Sequence, residues 1–144
     1  MKIIVAQRHV GNLEGIREAV ARLDPQRARQ IVFTTDPIVA LQNIPLDEQV
    51  LVVSGNVFTG SWSGAALAQA VKLASPGNVI FFTYSVLSER APAVDGIIPK
   101  ENQTVRTGHH DLLARILTSK IEDLTIARIK ELFPEVQFPE VPRW

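Results

Sequence analysis

Five polar residues stand at or just beyond the ends of short apolar runs: Gln7 and Arg8 after Ile3 to Ala6, Ser54 after Val50 to Val53, Thr83 closing Val79 to Thr83, and Lys100 after Gly96 to Ile98. Together they offer an amide, a guanidinium, two hydroxyls and an ammonium. Such a set binds anions through charge-assisted hydrogen bonds. It lacks the carboxylate oxygens that a hard cation such as magnesium demands. An arginine turned inward at about 4 Å from a divalent ion would oppose it by ~8 kcal/mol at an effective dielectric near 20, a ceiling because the side chain can swing outward. Arg8 and Lys100 therefore suggest a small notch for a partner's carboxylate or phosphate. The alternative is an ion pair from Arg8 to Asp36, with Lys100 solvated.

Other constellations carry less chemistry. Ser54, His9 and Asp36 have the residue types of a hydrolytic triad. Ser54-Gly55-Asn56 lacks the Gly-x-Ser-x-Gly elbow, however, and about ten residues separate it from the next helical pattern. His9 is expected in an exposed loop. His109-His110 cannot aim both rings at one metal from a helix face, and no third ligand completes a set, so the pair marks a helix start. Thr59 to Gly64 is a hydroxyl- and glycine-rich loop whose amides could cradle phosphate. Trp62 within it either covers the core or presents an aromatic to a partner.

Composition narrows the function classes. The chain has 144 residues, 46% hydrophobic and 21% charged, enough for one buried core and too few for two ordinary domains. Fifteen basic and fifteen acidic residues cancel, so no global field draws it to nucleic acid or an anionic membrane. Cysteine is absent, which removes disulfides, thiolate nucleophiles and cysteine-metal sites. No stretch approaches the roughly 20 apolar residues of a membrane span, and the apolar start is shorter than a signal-peptide core. The expectation is a soluble, unexported, cytoplasmic protein with no cofactor and no metal.

The elements that must position these residues follow from periodicity. Ile3 to Ala6, Ile31 to Thr35, Val50 to Val53 and Val79 to Thr83 are nearly continuous β-branched or aromatic runs, the pattern of parallel strands covered on both faces. Gly96 to Ile98, after Asp95-Gly96, is a fifth strand. Between them, Leu13, Ile16, Val20 and Leu23 recur at helical spacing and stop at Asp24-Pro25. Asp36-Pro37 starts a short second helix that ends before Pro45. Ala65 to Ala74 forms a third, Ser88 to Ala93 at most a frayed fourth, and His110 to Thr118 a fifth. Right-handed crossovers then predict an α/β, doubly wound, flavodoxin-like five-stranded parallel sheet in the order 2-1-3-4-5. Lys120 to Phe133 predicts an additional C-terminal helix with Ile121, Leu124, Ile129 and Leu132 on one face, followed by a tail punctuated by Pro134, Pro139 and Pro142. The expected division is 1–118 for the sheet domain and 119–144 for helix and tail.

In this register the first 118 residues resemble the response-regulator receiver domain. In that family an acidic pair ends the first strand, where this chain has Gln7-Arg8. The phosphorylated aspartate ends the third strand, where Leu51-Val52-Val53 leads to Ser54. A serine or threonine ends the fourth, matched by Thr83, and a lysine the fifth, matched by Lys100. The small residue after the hydroxyl position is here Tyr84, the aromatic switch residue on the fifth strand is Ile97, and the proline that follows the lysine stands before it as Pro99. The resemblance implies a degenerate receiver with its phosphorylation chemistry removed.

The expected function is binding rather than turnover: a phosphorylation-independent, receiver-like protein–protein interaction module of bacterial signalling or regulation, and no enzyme. Its partner would be a signalling kinase, an output domain or a second copy in a homodimer. Direct nucleic-acid binding is not expected, because residues 119–144 are too few for a winged-helix output. In receivers the face around the fifth strand carries partner contacts, which points to Tyr84, Ile97 and the segment 88–102, with Trp62 as a further exposed aromatic. The alternative is a flavodoxin-like small-ligand or cofactor-binding protein, with enzymatic activity open, using Arg8, Lys100 and the loop 59–64. The flavodoxin phosphate loop follows the first strand, however, and this loop follows the third.

Overall fold

A computed structural model describes residues 1–58, 60, 62–85, 91–100 and 110–138. Five strands, β1 (Lys2–Ala6), β2 (Ile31–Thr34), β3 (Val50–Ser54), β4 (Val79–Ser85) and β5 (Gly96–Pro99), form one parallel sheet in the order β2-β1-β3-β4-β5. This is the predicted flavodoxin-like order. β2 stops one residue earlier than its apolar run, because Thr35 bends towards the capping Asp36. β4 runs two residues further than expected, so Tyr84 and Ser85 lie within the sheet.

Every residue of β3 is buried, as a central parallel strand requires. Alternation divides its side chains between two cores. Leu51 and Val53 join Ile3, Val5, Phe82 and Ile98 on one face, covered by α1 (Val10–Leu23) and α5 (Asp111–Leu117). Val50 and Val52 join Ile4, Ala6 and Phe81 on the other, covered by α3 (Pro37–Gln42) and α4 (Gly64–Ala74).

Helix ends are specified locally. Asp36 accepts from the Ile38 amide and Ser63 from the Ala66 amide, each satisfying a donor that helix geometry leaves open. Asp24 ends α1 and also caps an unforeseen short helix, α2 (Pro25–Gln30), accepting from the Arg27 amide at 3.0 Å with proline at its first position. Arg27 then donates from one guanidinium nitrogen to the Leu117 and Ser119 carbonyls, both at 2.8 Å, closing the end of α5.

The C-terminal segment departs from one continuous amphipathic helix. Residues Ile121–Asp123 form a 3-10 turn, the chain opens at Leu124, and Thr125 caps α6 (Ile126–Leu132) by accepting from the Arg128 amide. The break rotates the apolar positions. Leu124 and Ile129 are fully buried, whereas Ile121 and Leu132 are exposed. With Phe133 and Val136, the two buried residues join the same cluster as α1 and α5. No helix among the described residues is long and apolar enough to cross a membrane.

Gly64 opens α4 where a Cβ would collide with the Gly55 carbonyl oxygen, a backbone atom that cannot rotate away. Gly64→Ala is expected to cost about 1–3 kcal/mol in urea unfolding, the range for overpacking. Gly11→Ala, at an exposed α1 position with nothing within 4 Å of the added Cβ, is expected to be neutral or stabilising by up to about 1 kcal/mol.

Candidate functional site

The parallel registers bring Ala6, Ser54 and Thr83 level across β1, β3 and β4. Gln7 therefore emerges beside Ser54 and Gly55, its backbone N–H donating to the Thr34 carbonyl while the Gly55 N–H donates to Ala6. The Gln7 side chain lies along Gly55, where a Cβ would sit 3.3 Å from Oε1. Gln7 is 4% exposed, and its Nε2 has no hydrogen-bond partner among the described residues. Ser54 is fully buried, and its hydroxyl donates to the Gly55 carbonyl at 2.7 Å. Thr83 is buried beside it. Asn56 spans the next layer, its amide donating to the Ser85 hydroxyl at 2.6 Å.

This strand-end pocket is neutral and built of amides and hydroxyls. Among the described residues no group of three or more His, Cys, Asp or Glu is placed to hold a metal ion. Arg8 points to solvent, and it makes no ion pair with Asp36, whose carboxylate instead caps α3. The expected Arg8–Asp36 bridge is thus replaced by a local helix cap. The triad geometry is equally absent: Ser54 bonds its own neighbour, Asp36 bonds Ile38, and His9 is the exposed residue preceding α1, without a side-chain cap bond.

Lys100 does not join Arg8 in a common notch. Its amide donates to the Ser85 carbonyl, and its ammonium stands 5.7 Å from the centre of the Tyr84 ring. From there it lines a cleft of about 470 Å³ with Pro99, Asp111, Leu112, Arg115 and Glu135. It is half-buried rather than solvated, and loss of hydration lowers its pKa below the ordinary lysine value.

Tyr84 and Ile97, expected on an exposed partner face, are instead buried at 3% and 7% exposure. Tyr84 points into the α1–α5 core and its hydroxyl meets His110 Nδ1 at 2.8 Å. His110 precedes α5 as expected, but its ring is buried, with Gly15 of α1 so close that a Cβ there would approach Nε2 to 3.0 Å. Ile97 is flanked by the C-terminal segment, to which its N–H and carbonyl both bond at Gln137. Trp62 is half-buried and packs against the α3–α4 core, where the Val57–Ser63 bridge closes the loop beneath it. Thr59, Ser61, His109 and the segments 86–90 and 101–109 lie outside the described residues.

Comparison with known proteins gives likeness of fold. The isolated REC domain of RcsB from Salmonella enterica serovar Typhimurium, in the presence of the phosphomimetic BeF3-, matches with a TM-score of 0.54 and 21% identity, over 83% of this chain and 90% of that one. RcsB from the same organism, bound to promoter P1flhDC in the presence of BeF3-, matches with a TM-score of 0.55 and 18% identity, over 91% of this chain and 65% of that one. No family model matches, and no curated protein matches. The chain has a receiver-domain fold.

The buried Tyr84–His110 contact makes Tyr84→Phe a sharp probe, since it strips a partner from a ring nitrogen inside the core. It is expected to cost about 0.5–1.5 kcal/mol in urea unfolding, the net worth of one buried hydrogen bond. Lys100→Met tests desolvation. Because the folded pKa is lowered, the unfolded chain binds more protons as pH approaches 10.5 from below, so Lys100 makes stability rise with pH across that window. In Lys100→Met this alkaline rise in Tm is expected to flatten, with no loss of stability at neutral pH.

Proposed function

We propose that this chain is a receiver-fold interaction module that works without aspartyl phosphorylation. The observation that carries the proposal is the state of Ser54. It occupies the end of the central strand, fully buried, with its hydroxyl committed to the next carbonyl and the neutral Gln7 amide packed alongside. A serine there cannot form an acyl phosphate, and the pocket offers magnesium no carboxylate cluster among the described residues. The fold is kept while the donor–metal–acceptor chemistry is replaced, which leaves binding as its work. The partner is a protein of a bacterial signalling or regulatory system, whether a kinase, an output domain or a second copy, met in the cytoplasm without direct contact to nucleic acid or membrane.

Incubation with acetyl phosphate and magnesium is expected to give no phosphate incorporation by intact-mass measurement. Magnesium with beryllofluoride is expected to leave Tm unchanged, since a ligand stabilises a fold only by binding its folded form. Incorporation that disappears in Ser54→Ala would overturn the proposal.

A further inference from the structure

We propose that the outer edge of β2 is a self-association surface, pairing antiparallel with the same edge of a second copy of the chain about a two-fold axis at Phe33. The proposal rests on the interaction-module function and names one partner and its surface. β2 ends the sheet on the side opposite β5, and the two edges differ. The β5 edge is met by the chain's own Gln137, which exchanges hydrogen bonds with Ile97. Among the described residues no backbone hydrogen bond reaches the outer side of β2. Ile31 to Thr35 also carries no lysine, proline or glycine, the residues that commonly spoil an edge.

Register decides which groups face outward. Thr34 turns its carbonyl to β1, where it accepts from the Gln7 amide at 3.1 Å. Alternation then points the N–H and carbonyl of Ile31 and Phe33 away from the sheet, and Thr35 continues that set just beyond the strand. An antiparallel neighbour must place outward residues opposite outward residues. A two-fold axis at Phe33 does so: the two Phe33 residues exchange both bonds, and each Ile31 faces the other copy's Thr35. The same axis sets Phe33 beside Phe33 on the α1 face and Val32 beside Thr34 on the other, pairs of the kind that stabilise sheets. Phe33 is half-buried, with the Arg17 guanidinium 4.8 Å from its ring centre. Glu14 lies 3.7 Å from that guanidinium, so the axis gathers no uncompensated charge.

Charge selects a second copy in the antiparallel sense. Exposed Arg29 precedes β2 at the end of α2, and exposed Asp36 follows it. Neither forms an ion pair among the described residues. The two-fold axis brings the Arg29 end of each edge towards the Asp36 end of the other, whereas parallel stacking would set like ends together. Asp36 caps α3 through Oδ1, which accepts from the Ile38 amide at 2.9 Å, and its second oxygen is left to receive the guanidinium. Fifteen basic and fifteen acidic residues cancel, so two copies approach without net repulsion.

Sedimentation equilibrium of the full chain is expected to show a monomer–dimer equilibrium with Kd on the order of 10–100 µM, the weak range of a small interface. Phe33→Pro removes an outward N–H without taking a donor from the β1 ladder, and is expected to raise Kd about tenfold or more. Arg29→Glu sets two acidic ends together at an exposed position, with about a tenfold rise, and serves independently of how the proline variant folds. In hydrogen exchange on the wild-type chain, the Phe33 amide is expected to slow as concentration rises while the Ile97 amide does not. A chain that stays monomeric at about 1 mM, a dimer that leaves Phe33 exchange unchanged, or an affinity indifferent to Arg29→Glu would each overturn the β2 pairing. Those outcomes leave the phosphate experiment and a different protein partner standing, whereas Ser54-dependent phosphorylation would overturn the functional proposal and not this edge.

Discussion

The backbone ladder joining β1, β3 and β4 is the constraint on which the other features rest. A parallel sheet has no polar face to turn to water, so its central strands must be apolar on both sides and helices must cover both. β3 meets this with five buried residues, and its register with β1 and β4 fixes which residues emerge together at the carboxyl ends. Gln7, Ser54 and Thr83 share a pocket because the ladder sets Ala6, Ser54 and Thr83 level, whatever their own chemistry. A one-residue slip would send Ser54 into the opposite core and Val53 into its place.

The neutrality of the strand-end residues sets what the ladder must withstand there. Clustered carboxylates at a strand end repel one another and need a cation to offset the repulsion. The amides and hydroxyls here exert no such repulsion, and the Ser54 hydroxyl is satisfied within its own turn. The residual cost is local. The Gln7 Nε2 group is buried without a partner among the described residues, a penalty on the order of 1–3 kcal/mol. A sheet buried on both faces can carry that cost.

What was legible in the sequence was what periodicity governs. The apolar runs located all five strands, and capping residues such as Asp36 set helix starts within a residue or two. Misreadings arose where a distant contact overrode a local pattern. Tyr84 looked like a surface residue because nothing near it in sequence announces His110, 26 positions away, as its hydrogen-bond partner. Lys100 and Arg8 looked like neighbours because both follow strands, but the sheet order inserts β3 and β4 between them, and Tyr84 draws the lysine towards α5. The helical stripe of 121–132 was sound as a pattern but too long as a single helix, since α6 covers only Ile126–Leu132 and Ile121–Asp123 is a 3-10 turn. Thr125 offers a capping oxygen in mid-stripe, and a cap there gains a hydrogen bond that a continuous helix would forgo.

The same balance between local and distant contacts explains why the C-terminal segment reaches β5 at all. A helix continuing unbroken from 121 would have kept Ile121 and Leu132 on the face of Leu124 and Ile129, four apolar side chains seeking one groove. Restarting the helix at Thr125 turns Ile121 and Leu132 outward and leaves Leu124 and Ile129 in the core, with Phe133 and Val136 following them. The chain then leaves α6 through Pro134, which cannot continue the helix, and arrives extended beside an edge strand whose Gly96 has no side chain to exclude it. The turn chemistry of one threonine thus decides which surface the tail covers, and the sheet is left with its β5 edge closed at Ile97.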